Sequence, residues 1–270
     1  MTITMTLLAM IAWFLIWLIL VQQLTKKPNH TFLPWLKTQW LKPLTLIALA
    51  CHGLSLLWLT RTPLGLGLNF NAAASLTMWL TSLLLLIAQL KRPVQSLSLF
   101  IIPLTILSLT IQLLPQPTST AIQLNSGLSL HIIISLLAYS MLTLATFQAI
   151  LLFIQNHYLH TRQSNLIIRS LPPLLDMEEL LFSIIKIGVL LLTVGLLTGF
   201  IYLHDLFGQH VAHKTILSII AWLIFATLLI GHWRYGWRGR LVIRWTLVGS
   251  VFLMLGFLGS KFITEYLVKN

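Results

Sequence analysis

Charged side chains are scarce in this sequence. Only 8% of its 270 residues are Asp, Glu, Lys or Arg, whereas a soluble domain of this size carries about 25%. With five acidic residues, no apolar run contains the paired carboxylates that acid–base catalysis needs. The single cysteine, Cys51, excludes an intrachain disulfide and a Cys-x-x-Cys redox or metal motif. Phosphate-binding glycine loops and nucleophile elbows are also absent. These absences predict a protein that is not an enzyme.

Hydrophobic residues make up 57% of the chain and occur in long runs. The runs are about twice as long as a membrane-spanning strand and do not alternate, which excludes a β-barrel. The sequence therefore predicts an all-α fold, a polytopic membrane helix bundle with eight transmembrane helices. The predicted spans are Ile3–Val21, Pro43–Leu59, Ala72–Leu90, Val94–Leu114, Leu128–Gln155, Glu179–Leu203, Lys214–Trp233 and Leu241–Ile263.

The distribution of basic residues predicts the orientation of these helices. The first, third, fifth and seventh loops, with the residues that adjoin them, hold 12 Lys and Arg, against 4 on the other side. Because basic loops remain in the cytoplasm, both termini are predicted to face outward, into the periplasm of a bacterial inner membrane. The same rule accounts for the net charge of +12 without a nucleic acid partner. Membrane lipid is the expected surrounding.

Histidines are the ionisable groups that recur within the apolar runs. His213 and His232 bracket the seventh span 19 residues apart, roughly 28 Å in a helix and close to the thickness of a bilayer. His52 lies in the second span, His131 near the outer end of the fifth, and His204 at the end of the sixth. Zinc sites favour carboxylate or cysteine ligands, which are almost absent here. Haem needs one or two axial histidines and an apolar slot, so it is the better metal hypothesis.

Helical periodicity places several of these residues on a polar face of the fifth helix and on an aromatic face of the seventh. One face of the fifth helix carries His131, Ser135, Tyr139, Thr143 and Thr146, and one face of the seventh carries Ser218, Trp222, Phe225, Leu229 and His232. At 100° per residue such stripes are expected to face the bundle. A structural alternative remains for each histidine, since intramembrane histidines often only bond to a neighbouring helix. The spacing of Gly195 and Gly199 likewise predicts helix packing.

Four segments resemble a known family. They are Leu130–Ala145, Leu171–Phe182, Ile187–Phe207 and His213–Arg240, the last ending in the motif GWRGR. Together they resemble the cytochrome c assembly membrane proteins, which include the CcsA and CcmC branches and HemX, and in particular the eight-span YpjD subgroup. The resemblance implies a single membrane domain over residues 1–270. It divides the chain into an N-terminal three-helix part, 1–92, and a cytochrome c assembly-like core, 93–266.

The resemblance also implies roles for individual residues. His131 matches the family's outer haem histidine, and His232 matches a histidine at the inner end of the span after the signature loop. Trp222 lies where the family has a tryptophan, and His52 matches an early-span histidine of the YpjD subgroup. The synthase branches carry a tryptophan-rich WGxWWxWD loop, whereas residues 204–214 contain no tryptophan. The resemblance therefore implies haem handling without formation of the thioether bond.

The leading hypothesis is a haem-binding inner-membrane protein that assists assembly of cytochrome c or other haem proteins. Haem b would be held non-covalently, with the iron bound by His131 or His232 and Trp222 against the porphyrin. Further candidate cofactor-binding residues are His52, His204 and His213. The propionates would pair with Lys214, Lys261 or Arg61.

Two alternatives remain open. One is a non-enzymatic HemX-like regulator or scaffold, whose basic inner loop at residues 157–177 would dock a cytochrome-assembly or other membrane protein partner. The other is a solute transporter that uses the polar faces of the second and fifth helices.

Overall fold

Eight helices form the described part of the chain. The computed structural model describes residues 2–24, 38–62, 65–90, 94–115, 126–161, 171–202 and 212–267. The helices are α1 (Thr2–Leu24), α2 (Leu41–Thr60), α3 (Phe70–Gln89), α4 (Ser98–Leu113), α5 (Ser126–His160), α6 (Leu174–Tyr202), α7 (Ala212–Tyr235) and α8 (Arg240–Met254). Single 3₁₀ turns precede α2 and α4, at Thr38–Trp40 and Gln95–Leu97. After Met254, α8 continues as two π turns, Leu255–Gly259 and Ile263–Leu267, around a short α turn, Ser260–Phe262.

Within the described residues, eight segments are long and apolar enough to cross a membrane. The predicted all-α bundle of eight spans is therefore confirmed, whereas the outward orientation of the termini stays a prediction. The structure adds a two-residue antiparallel hairpin that pairs β1 (Arg61–Thr62) with β2 (Gly65–Leu66). At 35 and 29 residues, α5 and α6 are longer than predicted. About 20 residues span the hydrocarbon core, so both helices extend beyond it.

The later helices pack around one apolar core. Leu142 of α5, Ile185 of α6 and Phe225 of α7 are completely buried in it. Glycine lets α5 and α6 approach closely, because a Cβ atom at Gly188 would lie 2.6 Å from Leu142 Cδ2. Small residues at such contacts are typical of membrane helices, whose packing depends on close van der Waals contact.

The earlier helices have a second core. Trp13 of α1, Ala48 of α2 and Leu109 of α4 are buried together in it. Helix α3 joins this group to the later helices, since the Thr81 hydroxyl donates to the Ser140 carbonyl of α5 at 3.4 Å. The predicted division at residues 92 and 93 stays a prediction.

The end of α8 connects the two groups of helices. Glu265 accepts a hydrogen bond from the backbone N–H of Phe70 at 2.6 Å, and the Tyr266 hydroxyl donates to Asn71 at 2.9 Å. The rings of Phe70 and Phe262 meet edge to face at 5.4 Å. These contacts fix the last turns of α8 against the start of α3.

Candidate functional site

An apolar cavity of about 320 Å³ lies among α5, α6, α7 and α8. Its wall includes His131, Ser135 and Tyr139 of α5, Gly195 and Gly199 of α6, Lys214 and Ser218 of α7, and Gly256, Phe257 and Lys261 of α8. Leu68, just before α3, also contributes. The predicted inward face of α5 is confirmed for its first three residues. The cavity lies near the ends of the helices that carry His131 and Lys214.

Glycines bring the helices of the cavity wall together. A Cβ at Gly195 would lie 3.3 Å from Ser135 Oγ, and a Cβ at Gly256 would lie 3.2 Å from Leu217 Cβ. Gly195 and Gly199, predicted from spacing as a packing motif, therefore also border the cavity. Gly256 lies in the first π turn of α8, and such turns occur frequently at functional sites.

His131 is held in one orientation by α6. Its Nδ1 lies 3.0 Å from the Gly195 carbonyl oxygen and 3.2 Å from the Thr198 hydroxyl. Because a carbonyl oxygen only accepts hydrogen bonds, Nδ1 carries the proton and Nε2 carries the lone pair. Nε2 makes no hydrogen bond to a described residue. Metal-ligating histidines are commonly oriented in this way, with one ring N–H donating to a carbonyl.

Two cations lie on the cavity wall. Lys214 and Lys261 both border it, and no acidic residue belongs to its described lining. Lys261 Nζ lies 3.7 Å from Glu265 Oε1 and donates to the carbonyl of Leu68. Since both lysines are half-buried, an anionic group that entered the cavity would meet little screening by water.

Aromatic rings form part of the wall. The rings of Tyr139 and Phe257 are 5.0 Å apart with an interplanar angle of 53°. Tyr139 is itself buried. Together with the aliphatic lining, these rings suit an apolar ligand with a few polar groups.

His232 lies at the C-terminal end of α7, opposite the end that carries Lys214. About 18 residues separate it from Lys214, roughly 27 Å along the helix axis. Its Nδ1 donates to the Trp237 carbonyl at 3.0 Å, and its ring stacks on Phe182 with centroids 3.5 Å apart. His232 therefore lies outside the cavity lining, and the structure does not bring it together with His131.

His52 lies in a separate polar network among α2, α3 and α4. Ser75 donates to Gln112 Oε1 at 2.6 Å and therefore accepts from His52 Nε2 at 2.9 Å. Gln112 Nε2 donates to Ser55 at 3.2 Å, and Ser55 donates to the His52 carbonyl at 2.8 Å. His52 is fully buried, and its Nδ1 has no partner among the described residues. The hydrogen bonds of His52 join α2 to its neighbouring helices, as expected if this histidine has a structural role.

The other predicted residues that the structure describes lie apart from the cavity. His213 is exposed at the start of α7, and Arg61 is exposed in the hairpin. Trp222 donates its indole N–H to Thr193 of α6 at 2.8 Å and is not among the lining residues. His204 lies outside the described residues. Within those residues, no group of three or more His, Cys, Asp or Glu forms a metal cluster.

Sequence patterns missed part of the cavity wall. Gly256 and Phe257 of the first π turn of α8 border the cavity, although no ligand-binding role was predicted for them. Leu68 comes from the N-terminal half and is held there by Lys261. The clearest sequence signal for the wall was the stripe from His131 to Tyr139 on α5.

The chain resembles known proteins over most of its length. A family model described as Cytochrome C assembly protein matches residues 40–268, which contain α2 to α8 and thus the whole cavity wall. No solved structure matches the chain.

Curated relatives carry related descriptions. The inner membrane protein YpjD of Escherichia coli strain K12 is 36% identical over 152 residues, 56% of this chain and 57% of that protein. An uncharacterised 28.8 kDa protein of Azospirillum brasilense is 32% identical over 143 residues, 52% of this chain and 53% of that protein. The cytochrome c biogenesis protein CcsA of Gloeobacter violaceus is 30% identical over 91 residues, 33% of this chain and 27% of that protein. The chain thus spans little more than half the length of the first two relatives.

Proposed function

This chain belongs to the cytochrome c assembly protein family, and on that premise we propose that it binds haem b non-covalently and assists the assembly of cytochrome c or other haem proteins. Membership supports a role in cytochrome c biogenesis. The family predicted from the sequence is confirmed, as is the multi-pass inner-membrane location, by the eight helices and the similarity to YpjD. Haem binding and the residues that perform it are the proposal.

The orientation of His131 carries this proposal. An axial ligand must offer an unprotonated nitrogen, and the Gly195 carbonyl keeps the proton on Nδ1. Nε2 then has its lone pair on a side chain that borders an apolar cavity. Haem bound there would supply the iron that this nitrogen ligates. His131 is thus the first-ranked ligand, and His232 remains a second candidate at the other membrane level.

Lys214 and Lys261 are suited to the propionate edge of haem. Haem carries two propionates on one edge, and the cavity wall carries two lysines, Lys214 and Lys261, of which Lys261 also pairs with Glu265 behind the wall. The volume of about 320 Å³ is near the lower limit of small-molecule sites, about 300–1,000 Å³. This favours entry of one edge of a porphyrin over its complete enclosure.

Absorption spectra of purified protein loaded with haem test the proposal. We expect a Soret band in the wild type and its loss in His131→Gly, with partial recovery when imidazole is added. His213→Ala is the matched control, because His213 is exposed and does not border the cavity. An unchanged spectrum in His131→Gly would show that His131 is not the axial ligand. Loss of the Soret band in His232→Ala would then identify His232 as the ligand.

A flat spectrum in the wild type would favour the regulator or scaffold hypothesis. Residues 162–170 of its predicted docking loop, 157–177, lie outside the described residues. Crosslinking of the purified protein to a cytochrome-assembly or other membrane protein partner would then be the informative measurement.

A further inference from the structure

The turn between α7 and α8 is held rigidly. His232 Nδ1 donates to the Trp237 carbonyl at 3.0 Å, and Glu178 of α6 accepts from the backbone N–H of Gly239 at 3.2 Å. The backbone N–H of Trp237 donates to the Gly231 carbonyl at 3.3 Å. Gly231 also makes room for the Trp237 ring, since a Cβ there would lie 2.3 Å from it. The turn is therefore fixed from both helices and from α6.

Glycine makes the turn possible. Gly236 and Gly239 have φ values of +66° and +65°, in the region that side chains other than glycine rarely adopt. Neither would meet another atom within 4 Å if a Cβ were added. Backbone conformation, rather than lack of space, thus selects glycine at both positions.

Four arginines project from this fixed turn and its flanks. Arg234, Arg238, Arg240 and Arg244 are all exposed. None of them forms an ion pair or hydrogen bond with another described residue. Glu178, the buried acid that contacts this turn, accepts a hydrogen bond from the backbone N–H of Gly239 instead. The turn therefore presents four arginines that form no ion pair with a described acidic side chain.

This arrangement is unfavourable without an anionic partner. Arg240 and Arg244 are four residues apart on α8, where like charges repel. Both also lie near the N-terminal end of α8, where the helix dipole favours anions over cations. A cytoplasmic loop needs only positive charge, and lysine would supply that charge as well as arginine. Arginine adds a planar fork that binds phosphate oxygens through two parallel hydrogen bonds.

The surroundings indicate that the phosphate belongs to a lipid. Trp233 is 83% exposed and Tyr235 is 73% exposed, directly beside the arginines. Exposed Trp and Tyr at the end of a membrane helix are typical of the interface between hydrocarbon and headgroups. Inorganic phosphate would gain nothing from these rings, whereas the acyl region of a lipid would cover them.

We propose that the His232–Arg244 turn is a binding site for the headgroup of an anionic phospholipid, with the arginines as phosphate ligands and His232 and Glu178 as positioning residues. The site lies at the membrane face opposite the cavity. It is independent of haem binding by His131.

Native mass spectrometry of the full-length protein tests this site. The detergent-purified, delipidated protein is titrated with phosphatidylglycerol, and in parallel with phosphatidylcholine of the same acyl chains. We expect at least one phosphatidylglycerol retained with about tenfold preference over phosphatidylcholine. The triple variant Arg234→Lys, Arg238→Lys, Arg240→Lys preserves charge and is expected to lose most of that preference. Arg61→Lys, an exposed arginine on the hairpin, is the matched control.

Glu178→Ala separates an organised site from a simple positive patch. It removes a negative charge, so a patch that acts by charge alone would bind phosphatidylglycerol equally or more tightly. For an organised site, loss of the hydrogen bond between Glu178 and the Gly239 N–H is instead expected to weaken phosphatidylglycerol binding about threefold to tenfold. Glu178→Gln, which keeps an oxygen acceptor, is expected to restore it. Melting curves establish that each variant is folded, and the lysine triple variant provides an independent test.

Three outcomes would overturn the proposal. They are unchanged or tighter phosphatidylglycerol binding by Glu178→Ala, wild-type lipid preference in the lysine triple variant, and complete displacement of the lipid by inorganic pyrophosphate at equal phosphate concentration. The last would assign the arginines to a soluble phosphate compound.

Discussion

Thr198→Val tests whether α6 controls the ligand nitrogen of His131. The substitution keeps the shape of the side chain but removes the hydroxyl that lies 3.2 Å from Nδ1. The Gly195 carbonyl, at 3.0 Å, remains as the second acceptor. Loss of the outer-shell partner of a metal-ligating residue typically lowers metal affinity about 10- to 100-fold. With one partner left, a cost of about 1 kcal/mol corresponds to roughly fivefold weaker haem binding.

The measurement is a haem titration followed at the Soret band. Thr227→Val is the matched control, because Thr227 is exposed on α7 and does not border the cavity. Thr198→Val should raise the dissociation constant while leaving the melting temperature nearly unchanged, since the Thr198 hydroxyl bonds otherwise only to carbonyls of its own helix. Equal affinities for wild type and Thr198→Val would refute the assignment of His131 as an oriented ligand.

Two further substitutions test the mouth of the cavity and the N-terminal network. Replacing Lys214 and Lys261 with Met should lower affinity for haem but not for haem dimethyl ester, whose carboxylates are blocked. An equal loss for both ligands would count against pairing with propionates. Gln112→Leu should destabilise the protein by about 1–3 kcal/mol, because buried serine hydroxyls lose a partner, and should leave the Soret band intact. Gln95→Leu, at an exposed position, is its control in thermal melts, and equal melting temperatures would contradict the prediction.

The sequence determined the architecture because hydropathy is a local property. A helix that crosses a bilayer must satisfy its own backbone hydrogen bonds, so each long apolar run predicts one span. Helical periodicity also identified the inward stripe from His131 to Tyr139 on α5 without knowledge of its neighbours. The family followed from segments that retain their order along the chain.

The roles of the histidines depended on tertiary contacts. The sequence predicts His131 or His232 as the iron ligand and His52 as a further candidate, but of these three only His131 borders the cavity. The Gly195 carbonyl, 64 residues further along the chain, fixes the proton of His131 on Nδ1 and leaves Nε2 free. His52 is instead hydrogen-bonded into a network with α3 and α4. No local pattern encodes these partners, because side chains on separate helices meet only when the bundle packs.

The shape of the site was likewise decided by packing. The first π turn of α8 packs against α7 at Gly256, and Gly256 and Phe257 of that turn border the cavity. The turn after His232 depends on Glu178, which comes from another helix. Composition and periodicity thus determine what can lie in the membrane, whereas contacts between helices determine which nitrogen, cation or ring is available to a ligand.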